Sequence, residues 1–142
     1  MARRSTAPQP PRPAAGPMTG VALLALACAL AGLAARATYG ARTTADEPQY
    51  LLTALSLADD RDLDISNQIA NGDHLPFHEI PIDRQTFPLD ESGREVSPHD
   101  PLLPVILAPA MGLGGWVLAK VVLAVVAAAV AVGTLRLAGR ER

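Results

Sequence analysis

The sequence predicts an α-helical membrane protein with two transmembrane helices. A partly structured extracytoplasmic loop, with juxtamembrane helices and a short hairpin, is predicted to join them. Apolar residues are concentrated in two stretches, 18–35 and 102–135, rather than spread along the 142 residues. Residues 37–101 between them hold thirteen of the fourteen Asp and Glu but only four of the twelve Lys and Arg. Such a chain presents its apolar stretches to lipid and its charged loop to water.

The first apolar stretch, "MTGVALLALACALAGLAA", has no charge over 18 residues. That is about the shortest helix that crosses a hydrocarbon core of ~30 Å, so residues 18–36 are predicted as transmembrane helix 1. Residues 1–17 are Pro-rich and are predicted to be a disordered cytoplasmic leader. The alternative is a signal peptide cleaved after an A-x-A motif, but Arg36 would lie inside that motif. Cys28 is the only cysteine, so no internal disulfide is possible.

The second apolar stretch has 34 residues and a single charge, Lys120. As one helix at ~1.5 Å per residue it would be ~51 Å long, which is too long for one crossing. Residues 102–115 are therefore predicted as a juxtamembrane segment, 116–135 as transmembrane helix 2 and 136–142 as a cytoplasmic tail. The residues that offer a break in this stretch are Pro104, Pro109, Gly112, Gly114 and Gly115.

Basic residues predict the orientation of the chain. Residues 1–17 carry three Arg and no acid, and the tail carries three Arg and one Glu. Since Lys and Arg near span ends favour the cytoplasmic side, we expect a multi-pass plasma-membrane protein with both termini cytoplasmic. Tyr39 and Trp116 fall where an outer belt of interfacial aromatic residues would lie. Lys120, about one turn inside, is interpreted as reaching outward along its own stem, with a functional buried lysine as the alternative.

The loop contains patterns typical of folded structure. "PQYLLTALSLADD" places apolar residues at helical spacing and predicts a juxtamembrane helix at about 48–58. Thr44 and Glu47 fit a capping box, and Pro48 suits a first helical turn. "QTFPLDESGREVS" predicts a short hairpin with its turn at residues 90–93.

Calcium binding is one alternative for the acids of the loop. Asp60, Asp62 and Asp64 alternate as the first ligands of a calcium loop do. The sixth position of such a loop is Ile65 rather than glycine, however, and the twelfth is Asn71 rather than glutamate. This mismatch disfavours an EF-hand.

Zinc binding is a second alternative. His74 and His78 are spaced as a zinc pair would be on a helix. Pro76 between them disfavours a helix that presents both on one face, and only His99 could extend the set. No metal site and no cofactor are predicted, although a divalent cation is compatible with the acidic loop.

Two short motifs stand at the two ends of the loop, next to the predicted spans. "ADEPQY" begins the loop directly after the first span, and "SPHDPLLP" closes it before the second. This order, over residues 18–135, resembles the start of multi-spanning GT-C glycosyltransferases. Families with a similar start include dolichyl-phosphate-mannose protein mannosyltransferases and bacterial lipid A aminoarabinose transferases. The resemblance rests on Asp46, Glu47 and Tyr50 in the first motif and on Ser97, His99 and Asp100-Pro101 in the second. Where the common pattern continues with glycine, this sequence has Leu102, while Pro104 is kept.

The resemblance implies a reaction and roles for single residues. GT-C enzymes use sugars linked to a polyprenyl phosphate, whose reactive carbon lies at the outer membrane surface. Asp46 would be the base that takes the proton of the acceptor hydroxyl, and Glu47 would orient the acceptor. Tyr50 would contribute to substrate binding, and His99 would donate a hydrogen bond to the leaving phosphate. The alternative for Asp46 and Glu47 is that both only start the helix, where acids favour the positive end of its dipole.

Two spans are too few to enclose a lipid-linked sugar. The sequence therefore predicts the N-terminal module of such an enzyme, which is inactive alone and needs further transmembrane segments or a partner subunit. A non-catalytic membrane subunit whose acidic loop docks a partner is the alternative, and a small cation-binding accessory protein is a third. The expected partners are the lipid bilayer and a polyprenyl-phosphate sugar. The loop's negative charge argues against a nucleic-acid partner.

Overall fold

The structure is a computed structural model that describes residues 15–36 and 40–139. Helices form most of it. The predicted leader up to residue 14, Tyr39 and the end of the tail from residue 140 lie outside the described residues. The elements in chain order are α1 (Ala15–Ala31), α2 (Glu47–Asp59), α3 (Ser66–Asn71), β1 (Phe87–Pro88), β2 (Glu95–Val96) and α4 (Leu102–Ala138), and a 3-10 turn, Gly32–Ala34, extends α1.

α1 and α4 lie side by side and run in opposite directions. Near the start of α1, the Sδ atom of Met18 accepts a hydrogen bond of 3.3 Å from Nε of Arg136, near the end of α4. Both helices are long and apolar enough to cross a membrane, by length and composition. Leu23 and Leu24 of α1 are each more than 60 % exposed. The protein itself therefore leaves much of the apolar surface of these helices uncovered.

α4 is two helical parts joined at a break. Gly114 (φ −153°, ψ 16°) and Gly115 (φ 63°, ψ −161°) leave helical geometry, whereas Pro109 lies within the first helical part. The backbone at Gly115 is in a region that residues with a Cβ rarely adopt. At ~1.5 Å per residue, the second part, 116–138, is ~35 Å long, which matches the thickness of a hydrocarbon core more closely than the whole helix does.

The core lies between α2 and the first part of α4. Leu51 and Leu52 of α2 are buried in one cluster with Leu107 and Met111 of α4. The two helices approach closely at Gly112, where a Cβ atom would lie 3.4 Å from that of Ala58. The apolar stripe of α2 is therefore covered by the first part of α4, which the sequence predicted as a juxtamembrane segment.

α3 and the turns around it close the other side of this core. Ile65, Ile69 and Phe77 are buried in the same cluster. Gly72 ends α3 with φ 74°, a left-handed conformation that glycine adopts at helix C-termini without a steric penalty. The chain can then turn back so that Phe77 enters the core.

A two-stranded antiparallel hairpin precedes α4. Phe87 pairs with Val96 and Pro88 with Glu95. In its turn, the side chain of Asp90 accepts hydrogen bonds from Arg94 and Ser92, and the Arg94 guanidinium is the main reason that the pKa of Asp90 falls to about 2. The hairpin is therefore held by charge at its tip.

The start of α2 differs from the predicted capping box. The helix begins at Glu47, and Asp46 occupies the N-cap position without a side-chain capping hydrogen bond. Ala45, with φ 50°, turns the chain between Thr44 and the helix. The side chain of Glu47 binds Lys120 rather than reaching back to the backbone. The capping box predicted from Thr44 and Glu47 is therefore wrong.

Candidate functional site

The start of α2 meets the segment before α4, and three side chains singled out in the sequence, Asp46, Tyr50 and His99, come together there. Asp46 and Glu47 are the N-cap and first residues of α2, and Tyr50 lies one turn further on. His99 reaches them from the loop that precedes α4. The two motifs, distant in the sequence, form one surface.

Asp46 and His99 face each other across this surface. Oδ1 of Asp46 lies 3.7 Å from Nε2 of His99, which is within the upper limit for an ion pair but longer than a hydrogen bond. The Asp46 side chain is 49 % exposed and that of His99 only 18 %. Nε2 of His99 is buried and has no hydrogen-bond partner within residues 15–36 and 40–139. A small approach of the two groups would give the imidazole a carboxylate partner.

Tyr50 fixes the imidazole of His99. The two ring centroids are 5.1 Å apart with the planes inclined by 31°. The backbone N–H of His99 approaches Oγ of Ser97 at 3.4 Å, and Oδ1 of Asp100 accepts the N–H of Leu102 at 2.8 Å. These short-range contacts order the turn that carries His99, and Tyr50 packs against one side of its ring.

Glu47 is bound to α4. Its Oε1 lies 2.9 Å from Nζ of Lys120, whose side chain is only 15 % exposed. Nζ also approaches the carbonyl oxygen of Arg42 at 3.4 Å, and it lies 5.9 Å from the ring centroid of Trp116. Lys120 therefore extends toward the loop, and its positive charge compensates the negative charge of Glu47.

The chemical difference between the two adjacent acids follows from these contacts. Within residues 15–36 and 40–139, Asp46 has neither a capping hydrogen bond nor a basic partner other than His99, so its carboxylate is available to accept a proton. The left-handed backbone at Ala45, directly before it, is a strained conformation of the kind that persists at functional sites. The arrangement can support proton transfer at Asp46 with an imidazole close by.

A second cluster, which the sequence did not predict, anchors the start of the loop. Oε1 of Glu79 lies 3.2 Å from Arg36 and 2.8 Å from Arg42, and its Oε2 accepts the backbone N–H of Arg42 at 2.9 Å. Burial would raise the pKa of Glu79, but these hydrogen bonds and charges lower it below its usual value. No spacing in the sequence pairs these residues, because the turn that brings Glu79 back is a tertiary feature.

The acids considered for calcium are used within the protein. Oδ1 of Asp62 accepts hydrogen bonds from Oγ of Ser56 and from the N–H of Asp64. Oδ1 of Asp64 accepts the N–H groups of Ser66 and Glu95. Burial alone would raise the pKa of Asp64, but these hydrogen bonds lower it. Asp62 therefore connects the end of α2 to Asp64, and Asp64 connects the start of α3 to β2.

The histidines considered for zinc lie closer together than Pro76 suggested. The N–H of His78 donates to the carbonyl of His74 at 2.7 Å, and the ring centroids are 6.3 Å apart. Within the part of the chain that the structure describes, no group of three or more His, Cys, Asp or Glu could hold a metal ion.

Comparison with known proteins adds no relative: no family model, curated protein or solved structure matches the chain.

Proposed function

We propose that this chain is the N-terminal module of a membrane glycosyltransferase. It would move a sugar from a polyprenyl-phosphate donor to an acceptor at the outer face of the plasma membrane. The observation that best supports this proposal is the approach of Asp46, at the free start of α2, to the buried Nε2 of His99. A proton acceptor and a potential proton donor stand side by side there.

The membrane setting is part of the proposal. α1 and the second part of α4 would span the bilayer, with the loop on the outer side and both termini in the cytoplasm. Lys120 lies one turn into that second part and binds Glu47, so the start of α2 would lie at the membrane surface. The reactive carbon of a polyprenyl-phosphate sugar would lie at the same depth.

The proposed reaction is a single displacement. The acceptor hydroxyl oxygen attacks the anomeric carbon while Asp46 takes the hydroxyl proton. The bond between that carbon and the phosphate oxygen breaks, and the lipid phosphate leaves with the electron pair. His99 would donate a hydrogen bond to the departing phosphate. Glu47, neutralised by Lys120, would position the acceptor rather than act as the base.

Further transmembrane segments belong to the proposal as well. Two antiparallel helices contact each other along one side only and cannot also surround a prenyl chain and a sugar. The exposed apolar faces of α1 and α4 are compatible with additional helices or a partner subunit. We therefore expect the chain purified alone to show no transfer from a polyprenyl-phosphate sugar in lipid.

The test is Asp46→Asn in the assembled enzyme. Asparagine keeps the shape of the side chain but cannot take the proton, so transfer should fall by ~10²–10⁴-fold with normal assembly. Asp59→Asn is the matched control, because Asp59 is exposed at the other end of the same helix. We expect it to keep full activity.

The alternative, a non-catalytic subunit that docks a partner through its acidic loop, makes a different prediction. Asp46→Asn would then keep transfer close to wild type, because removing one of many acids changes docking little. That result would overturn the catalytic role of Asp46.

A further inference from the structure

A cleft lies beside the turn that begins α2, on the side formed by residues 78–85. Its volume is about 240 Å³, which is below the range usual for drug-sized ligands and suits a single small ring. Pro48 and Ile82 form apolar parts of its wall, and Gln49, His78 and Asp83 form polar parts. The cleft is therefore of mixed character, with a small ligand as its natural occupant.

The hydrogen bonds of Thr43 determine which nitrogen of His78 carries the proton. Oγ1 of Thr43 donates its only proton to the carbonyl oxygen of Phe77 at 2.9 Å. Its contact of 3.0 Å with Nδ1 of His78 therefore requires Nδ1 to be the donor. In the neutral ring Nε2 is then an acceptor, and no hydrogen bond to it is formed within the described residues.

Gln49 supplies a second acceptor. It is only 2 % exposed, and its Nε2 donates to the carbonyl oxygen of Asp83 at 2.9 Å, which fixes the orientation of the amide. Its Oε1 is consequently buried, and none of the described residues donates a hydrogen bond to it. A buried acceptor without a donor is unfavourable, so a ligand that brings a donor would be stabilised here.

We propose that this cleft binds a small hydroxyl-bearing ligand, a monosaccharide or cyclic polyol. Hydroxyl groups would donate to His78 Nε2, Gln49 Oε1 and the Asp83 carboxylate, and the C–H face of the ring would pack on Pro48 and Ile82. The identification of this ligand as the sugar of the acceptor rests on the proposed transferase function. Binding of a sugar in the cleft, by contrast, requires only this chain and can be tested without transferase activity.

The experiment uses the full chain in lipid nanodiscs with ¹⁵N-labelled histidine. D-mannose, D-glucose and myo-inositol are titrated separately, and methylammonium chloride serves as a donor probe without hydroxyls. We expect at least one sugar or the polyol to shift the Nε2 resonance of His78 saturably. The proton should remain on Nδ1 throughout.

Two substitutions of the same kind separate a ligand contact from a structural effect. His78→Asn keeps a donor for Thr43 but removes Nε2 and with it the NMR signal, so affinities of the variants are measured by titration calorimetry. The affinity of His78→Asn should fall by about tenfold, the usual effect of losing one hydrogen bond. His74→Asn is the matched control, because His74 lies beside His78 but does not line the cleft. It should leave affinity unchanged. Gln49→Met, which removes Oε1, should weaken binding similarly and serves if His78→Asn does not fold.

Three outcomes would overturn the proposal: no saturable binding of any of the three hydroxyl compounds, binding of methylammonium alone, or unchanged affinity in both His78→Asn and Gln49→Met. Because no donor lipid is present, these outcomes are independent of the transfer assay. Inactivity of the transferase would therefore not be mistaken for failure of the cleft.

Discussion

Nζ of Lys120 lies 2.9 Å from Oε1 of Glu47, which joins α4 directly to the first residue of α2. The lysine side chain is largely buried, and the carbonyl of Arg42 and the ring of Trp116 lie around it. The pair therefore holds the loop against α4 and distinguishes Glu47 from Asp46.

The first prediction concerns this ion pair. Lys120→Met and Glu47→Gln, singly and together, should give a coupling of ~0.5–1 kcal/mol in a double-mutant cycle of thermal unfolding in detergent. The exposed pair Arg84 and Glu95, 3.3 Å apart, is the control and should couple less, because water screens it more. Equal coupling for the two pairs would show that burial of Lys120 adds nothing.

The second prediction concerns the break in α4. Gly115→Ala should destabilise the protein by ~1–3 kcal/mol, because a Cβ atom strains a backbone with positive φ. Gly133→Ala, in the same helix with open space around it, should instead be neutral or stabilising by up to ~1 kcal/mol. Unfolding of both variants in detergent measures the difference. Similar effects for the two substitutions would contradict the strain assigned to Gly115.

The third prediction concerns pH. Burial lowers the pKa of His74 below 6.5, the charge of His78 lowers it further, and Asp73 partly opposes the shift. The unfolded chain then binds a proton more readily than the folded one, so the contribution of His74 is complete above pH 6.5 and is lost as the pH falls through the folded pKa.

Hydrogen exchange of the turn at residues 74–78 measures this effect. Protection should fall in the wild type as the pH drops below 6.5. His74→Gln should show a smaller dependence on pH, since it removes the titrating ring. An unchanged pH dependence in this variant would assign the effect to another group.

The fourth prediction concerns orientation in the membrane. In a Cys28→Ala background, cysteines at Ser66 and Ser92 should react with an impermeant reagent in intact cells, because both lie in the loop. A cysteine at Gly139, at the far end of α4, should react only after lysis. Protection of both loop positions until lysis would reject an external loop.

Local patterns anticipated much of the helical structure. The spacing of apolar residues around Tyr50 and Leu51 predicted a helix, and α2 occupies that segment. The length of the second apolar stretch required a break, and the backbone leaves helical geometry at Gly114 and Gly115. In both cases the information lies within a few neighbouring residues, which is what a sequence pattern can report.

Contacts between segments that are distant in the sequence were harder to predict. The resemblance brought Asp46 and His99 to attention, but nothing in their spacing gives the 3.7 Å between them. Glu79 joins Arg36 and Arg42 only because the chain turns at Gly72 and Phe77 enters the core. The same turn brings His78 to Thr43. Neither the Glu79 cluster nor the pair of Thr43 and His78 could therefore be predicted before the path of the loop was known.

The packing of α2 on α4 sets the order in which the protein can assemble. As the ribosome produces the chain, residues 40–101 appear before the helix that covers Leu51 and Leu52. Without Leu107 and Met111 these side chains lose the cover that α4 provides, and an isolated helix of this length is marginal in water. We therefore expect the loop to fold only after the first part of α4 has been synthesised. A nascent chain that ends before residue 102 should be as sensitive to protease as an unstructured peptide, whereas one that extends past residue 120 should be resistant.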